Sequence, residues 1–172
     1  MGIIRKRNDR MVPVVMLVVA GALIAGCATA AEQPPLDLER YGKPGFVVLE
    51  DDGRLWVFRE GSDDLAAFQE SGEPAKQVVR PLAAPGGVTV KSTESATIDE
   101  YLTTLPGFYT QMEEGRLWVF KTDSAELDAF LQTGEPAKQV VRPLAGPFGL
   151  TIKAVASEVI DDYLAAWEAA TG

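Results

Sequence analysis

From residue 44 onward short apolar runs alternate with polar breaks, and the spacing of the apolar positions switches between two periods. Phe46-Val47-Val48-Leu49 and Arg54-Leu55-Trp56-Val57-Phe58 flank Glu50-Asp51-Asp52-Gly53. Two strand-like runs around an Asp-Gly pair predict a β-hairpin, because that pair tolerates the left-handed backbone of a tight turn. A helix should follow, with Ser62 as N-cap, Asp63 and Asp64 in its first turn, Leu65 and Phe68 on one face, and Gly72 as its stop. Gln77 to Arg80 and Val88 to Lys91 read as a second hairpin around a loop holding Pro81, Pro85, Gly86 and Gly87. Thr97 and Glu100 suit a capping box that opens a second helix, with Ile98, Tyr101 and Leu102 facing inward.

The same pattern then returns. Pro44-Gly45-Phe46 recurs as Pro106-Gly107-Phe108, and Gly53 to Phe58 recurs as Gly115 to Phe120, at a constant offset of 62. Residues 44–102 and 106–164 match at 34 of 59 positions without a gap, so the chain is a tandem duplication. Twelve of the matches are consecutive, Gly72 to Ala83 against Gly134 to Ala145, which marks this segment as the least tolerant of change. In the second copy Ile160, Tyr163, Leu164 and Trp167 fall at i, i+3, i+4 and i+7, the spacing of a buried helical stripe. The expected class is α+β: a tandem ββαββα repeat forming one pseudo-two-fold sheet-and-helix sandwich, with the helices on one face of the sheet. Repeat 1 spans residues 44–105 and repeat 2 residues 106–172, and since a unit of about 60 residues is marginal alone, the two should pack as one domain.

The amino terminus follows different rules. Arg5, Lys6, Arg7 and Arg10 precede a mostly apolar stretch from Met11 to Ala25, which ends in small residues and Leu23-Ile24-Ala25-Gly26-Cys27. Its 15 residues fall short of the roughly 20 that cross a bilayer, so a cleaved export signal fits better than a transmembrane helix. This region, residues 1–27, resembles a bacterial lipoprotein precursor. The resemblance implies cleavage after residue 26 and acylation of Cys27 with palmitate or similar chains, enough together to hold the protein on a membrane. Position 28 is Ala where an Asp would mark retention in the inner membrane. The resemblance therefore points to the outer membrane of the cell envelope, facing the periplasm. Residues 27–43 are then the lipidated cysteine and a tether, with a flexible reach of about 20–25 Å.

Loss of residues 1–26 removes four cations and one acid, leaving 12 Lys or Arg against 24 Asp or Glu. So acidic a body is a poor partner for nucleic acid, whose binding draws on clustered cations. The chain has no histidine, and Cys27 is its only cysteine. That excludes internal disulfides, thiol and Ser-His nucleophiles, and His or multi-Cys metal sites. No cofactor motif is present, and no metal site or catalytic set is expected.

Two sets of residues are candidates for function. If Ala75, Val79, Val88 and Val90 are buried, Lys76, Arg80, Thr89 and Lys91 share the opposite strand face, and Lys138, Arg142, Thr151 and Lys153 repeat them. Such cations can hold a carboxylate or phosphate, or simply pair with Glu73, Glu135 and other acids on a solvated face. The second set is Trp56, Phe58, Trp118 and Phe120, which should point away from the helices. They are either packed between the halves or between two molecules, or exposed as a platform for a sugar ring or a partner protein. Paired acids, Asp99 with Asp161 or Glu73 with Glu135, are the one arrangement that would serve hydrolysis. The expected function is a non-catalytic binding module on a lipoprotein, engaging an unknown envelope component or a basic protein. A self-associating structural protein, with a homodimer through the Trp face, and a carboxylate hydrolase are the alternatives.

Overall fold

The computed structural model describes residues 35–134, 136 and 138–171. The signal, Cys27 and Glu135 lie outside the described residues. No helix among the described residues is long and apolar enough to cross a membrane. The described residues form one compact unit by themselves.

The first repeat contains β1 (Phe46–Asp51), β2 (Arg54–Arg59), α1 (Asp63–Ser71), β3 (Val78–Ala84), β4 (Val88–Ser92) and α2 (Ser95–Thr103). The second contains β5 (Phe108–Glu113), β6 (Arg116–Lys121), α3 (Ala125–Thr133), β7 (Val140–Arg142), β8 (Thr151–Ala154) and α4 (Ser157–Thr171). The architecture is therefore α+β, ββαββα twice, with a four-stranded sheet in each repeat. The strand orders are β1-β2-β4-β3 and β5-β6-β8-β7. The central pairs, β2 with β4 and β6 with β8, are parallel, and all others are antiparallel. Asp52 and Gly53 both take positive φ in the first hairpin turn, as Glu114 and Gly115 do in the second, which is the geometry the Asp-Gly signal predicts.

Alternation along β2 decides the layering. Leu55 and Val57 face α2 and pack with Val90, Ile98 and Tyr101, whereas Trp56 and Phe58 face α1 and pack with Leu65 and Phe68. Each sheet is thus covered by a helix on both faces, not on one. The physical reason is that β2 is apolar at four consecutive positions, and a central strand that is apolar on both sides needs two covers. Ser62 caps α1 through Leu65 N–H at 3.2 Å, and Ser124 repeats the bond on Leu127 in α3. The expected capping box at Thr97 and Glu100 does not form: α2 begins at Ser95, and Glu100 has a different task.

Glu100 is buried at the join of the repeats. Its carboxylate accepts from Arg59 Nε at 2.7 Å and from the Met112 backbone N–H at 2.5 Å, while Arg59 also donates to Thr110 O at 2.6 Å. The hydroxyls of Thr104 and Thr110 meet 2.7 Å apart beside it. The counterparts of Arg59 and Glu100 in the second repeat are Lys121 and Asp162, which pair with each other at 2.5 Å on the open surface. One ionic pair, duplicated, is a buried bolt in one copy and a surface contact in the other.

Leu36 to Lys43, expected in the tether, are instead docked. Leu36 and Leu38 pack on the first core, Tyr41 is buried, and its hydroxyl donates to Pro85 O at 3.1 Å while its carbonyl accepts from the Tyr101 hydroxyl at 2.9 Å. Tyr163 repeats this last bond on Thr103 O at 2.7 Å. The docked segment therefore stands against the first repeat as the end of α2 stands against the second.

Candidate binding cleft

The cations expected to form one patch in each repeat are separated by the strand register. Val79 pairs with Lys91, and Arg80 with Val90, so Arg80 and Lys91 lie on opposite faces of the sheet. The second repeat agrees, with Val141 opposite Lys153 and Arg142 opposite Ile152. The sequence reading had Val79 buried; it is exposed, and Val78 packs on the core in its place. A shift of one residue moves every side chain to the other face, which is why the patch dissolves.

Each cation then has its own surroundings. Lys91 is buried, its ammonium 4.5 Å from the Trp56 ring centroid and paired with Glu73. Lys153 is likewise buried, 4.1 Å from the Trp118 ring. Arg80 pairs with Asp99 at 2.6 Å, and Arg142 with Asp161 at 2.5 Å. Burial pushes the Asp99 carboxyl up against the pull of Arg80, whereas the more exposed Asp161 is held down by its bond to Arg142. Lys76 and Lys138 lie exposed outside the strands. Asp99 and Asp161 are each engaged by an arginine of their own repeat, and their supposed alternative, Glu73 with Glu135, includes a residue outside those described.

The aromatic set is not a platform either. Trp56, Phe58, Trp118 and Phe120 are almost wholly buried beneath α1 and α3, with Trp56 and Phe58 stacked at 5.7 Å and both tilted against Phe68. Each repeat covers its own pair, so neither the other half nor a second molecule is needed.

What the fold does open is a cleft of about 500 Å³ where the repeats meet, lined by Lys43, Ala83, Ala84 and Pro85 on one side and Phe148, Trp167, Ala170 and Thr171 on the other, with Tyr101, Leu102 and Leu105 between. Its size is that of a small-ligand site. The one charged group in it is already engaged: Lys43 Nζ donates to the carbonyls of Tyr101 at 2.8 Å, Thr104 at 3.0 Å and Leu102 at 3.3 Å, closing the carboxyl end of α2. Its burial pushes the Lys43 pKa down to about 8.

The rim is where the two copies differ. Phe148 occupies the place of Gly86, and Trp167 the place of Leu105, at the offset of 62. Gly86 has φ +79°, an ordinary glycine conformation, but Phe148 holds the left-handed region at φ 55° and ψ 21°. That conformation costs a bulky residue about 1–2 kcal/mol. Phe148 is also 66% exposed, its ring meeting Trp167 edge-on at 5.7 Å. Sequence reasoning places Trp167 in the buried stripe and allows the loops Pro81 to Gly87 and Pro143 to Gly149 to shape a groove, without singling out Phe148. The available signal was an aromatic residue in a turn where the sister copy has glycine.

A second cleft, about 570 Å³ and polar, lies over the first hairpin turn between Asp52, Arg54 and the Gly86-Gly87 backbone. Its charges are exposed and face each other at 3.9 Å. Among the described residues no group of acids is placed to hold a metal ion. No family model matches the chain, and no curated protein or solved structure is significantly similar to it.

Proposed function

We propose that this protein is a lipoprotein of the bacterial cell envelope, acylated at Cys27 and held on the outer membrane facing the periplasm, whose duplicated body is a non-catalytic binding module. The anchoring part is supported by the cationic start, the short apolar stretch and the small residues before Cys27. One observation carries the binding part: an aromatic side chain held exposed, on unfavourable backbone, at the mouth of an apolar cleft. Strain kept at a cleft, where the sister copy avoids it with glycine, is a mark of a site under functional constraint. Binding rather than hydrolysis is favoured because Asp99 and Asp161 are taken up by arginines. The partner is an envelope component.

Two measurements test the reading. Cells grown with labelled palmitate should yield a labelled chain in the membrane fraction, and Cys27→Ser should abolish the label. An unlabelled wild-type chain in the soluble fraction would refute the anchor. For the module, a photoreactive residue at position 148 should cross-link an envelope component in living cells, and a cross-link of equal yield from position 138, which is outside the cleft lining, would refute the cleft as the site.

A further inference from the structure

We infer that the cleft takes an uncharged hydrocarbon chain, which rests on the binding reading and gives it a ligand class. The lining supplies the methyl groups of Ala83 and Ala84 and the ring of Pro85 on the first-repeat side, and Phe148, Trp167 and Ala170 on the other. Alanines leave a narrow slot between the walls, and aromatic rings give it a flat, adaptable rim. Apart from the Trp167 indole N–H at the rim, the polar side chains of the lining are engaged within the protein. The ammonium of Lys43 spends its donors on three carbonyls. The Tyr101 hydroxyl donates to Tyr41 O, the Pro85 carbonyl accepts from Tyr41, and the Thr171 hydroxyl donates to Trp167 O at 2.8 Å. A cationic head group would meet only the like charge of Lys43, and an anionic one would find the Lys43 donors already spent on carbonyls, so burying either is costly. An apolar chain gains from every contact.

The hydrocarbon has two sources of the same chemistry: the acyl group on this protein's own Cys27, or the acyl chain of another envelope lipid. The first is within reach. Leu36 lines the polar cleft together with Gly86 and Gly87, which belong to the loop whose Pro85 borders the apolar cleft. Cys27 precedes Leu36 by nine residues, a span of up to about 30 Å when extended.

The test uses two forms of the protein. The unacylated chain 28–172, which contains the whole compact unit, is titrated with the neutral fluorophore N-phenyl-1-naphthylamine and with dodecanol as competitor. One saturable site per chain is expected. It should change the emission of Trp167, the one tryptophan not wholly buried. Ala170→Trp, at an exposed position of α4, should fill the slot and weaken binding at least tenfold with an unchanged urea midpoint, and Phe148→Gly should weaken it several-fold. The acylated full chain is then examined with a photoreactive residue at position 170. An adduct to the Cys27 acyl group assigns the ligand to the protein itself, and an adduct to a separate lipid assigns it to another molecule. Absence of saturable probe binding, or binding indifferent to Ala170→Trp, overturns the inference. If the probe fails while position 148 still captures a polar envelope component, the hydrocarbon falls and the binding module stands. If both fail, so does the module.

Discussion

Replacing Glu100 by Ala, and separately Asp162 by Ala, compares one ionic pair in two environments within a single chain. Glu100 is 6% exposed and satisfies both a guanidinium and a backbone amide of the neighbouring repeat. Its removal leaves the Nε–H of Arg59, whose side chain is 25% exposed and keeps its bond to Thr110 O, and the Met112 N–H without their acceptor. Breaking a buried pair from one side typically costs 3–5 kcal/mol. Because Arg59 keeps some access to water, we expect about 3 kcal/mol. Asp162 and Lys121 are about half exposed, 53% and 51%, and an exposed pair of this kind is worth about 0–1 kcal/mol. Urea unfolding followed by tryptophan emission reads both repeats, since Trp56 and Trp118 are each buried in their own. The wild type should unfold in one transition. Glu100→Ala should lower its midpoint several times more than Asp162→Ala, and Glu100→Gln, which keeps an acceptor for Met112, should fall between. Equal losses from the two alanine variants, or separate wild-type transitions for the two repeats, would refute the claim that the Glu100 bolt couples the halves.

Two further predictions follow from other contrasts between the copies and from the cleft. The Trp118 indole N–H donates to Glu113 at 2.6 Å, but the Trp56 indole N–H is buried without a partner; its counterpart acid is Asp51, one methylene shorter. Asp51→Glu should therefore stabilise the protein by about 1 kcal/mol, read as a higher urea midpoint, and an unchanged midpoint would count against this account. Lys43 binds its proton less tightly in the fold than in the unfolded chain, with a pKa of about 8 against 10.5. Between those values the unfolded chain carries more protons, so stability from this group rises as pH climbs from 8 towards 10.5; the rise should vanish in Lys43→Met, and its persistence there would assign it to another group.

The sites illustrate why the patterns of single strands mislead about faces. The expected burial of Ala75 and Val79 rests on alternation alone, which either residue of the pair Val78-Val79 satisfies, and in the fold both Ala75 and Val79 are exposed. The pairing of β3 with β4 selects Val78 for the core, and Lys91 is thereby sent under α1 to Trp56 while Arg80 goes to Asp99 on α2. The identical run from Gly72 to Ala83 gains a partial explanation from the same contacts. Gly72 ends α1 with φ 78°, Glu73 reaches Lys91, and Arg80 reaches Asp99. The exposure of Leu82 and Leu144, both at positive φ, is not explained by any contact in the structure.

What the sequence determined by itself is everything written in local periods: two copies in one register, the order of strands and helices, the Asp-Gly turn and the Ser62 cap. These depend on neighbours a few residues apart, so the pattern holds them. The second helical layer, the transfer of Glu100 from a cap to the join, the docking of Leu36 to Lys43, and the cleft rimmed by Phe148 and Trp167 were decided by tertiary structure alone. Each requires residues distant in the chain to meet, and two repeats that match at 34 of 59 positions acquire different surroundings because α2 packs against β5 of the second repeat, where Glu100 meets Met112.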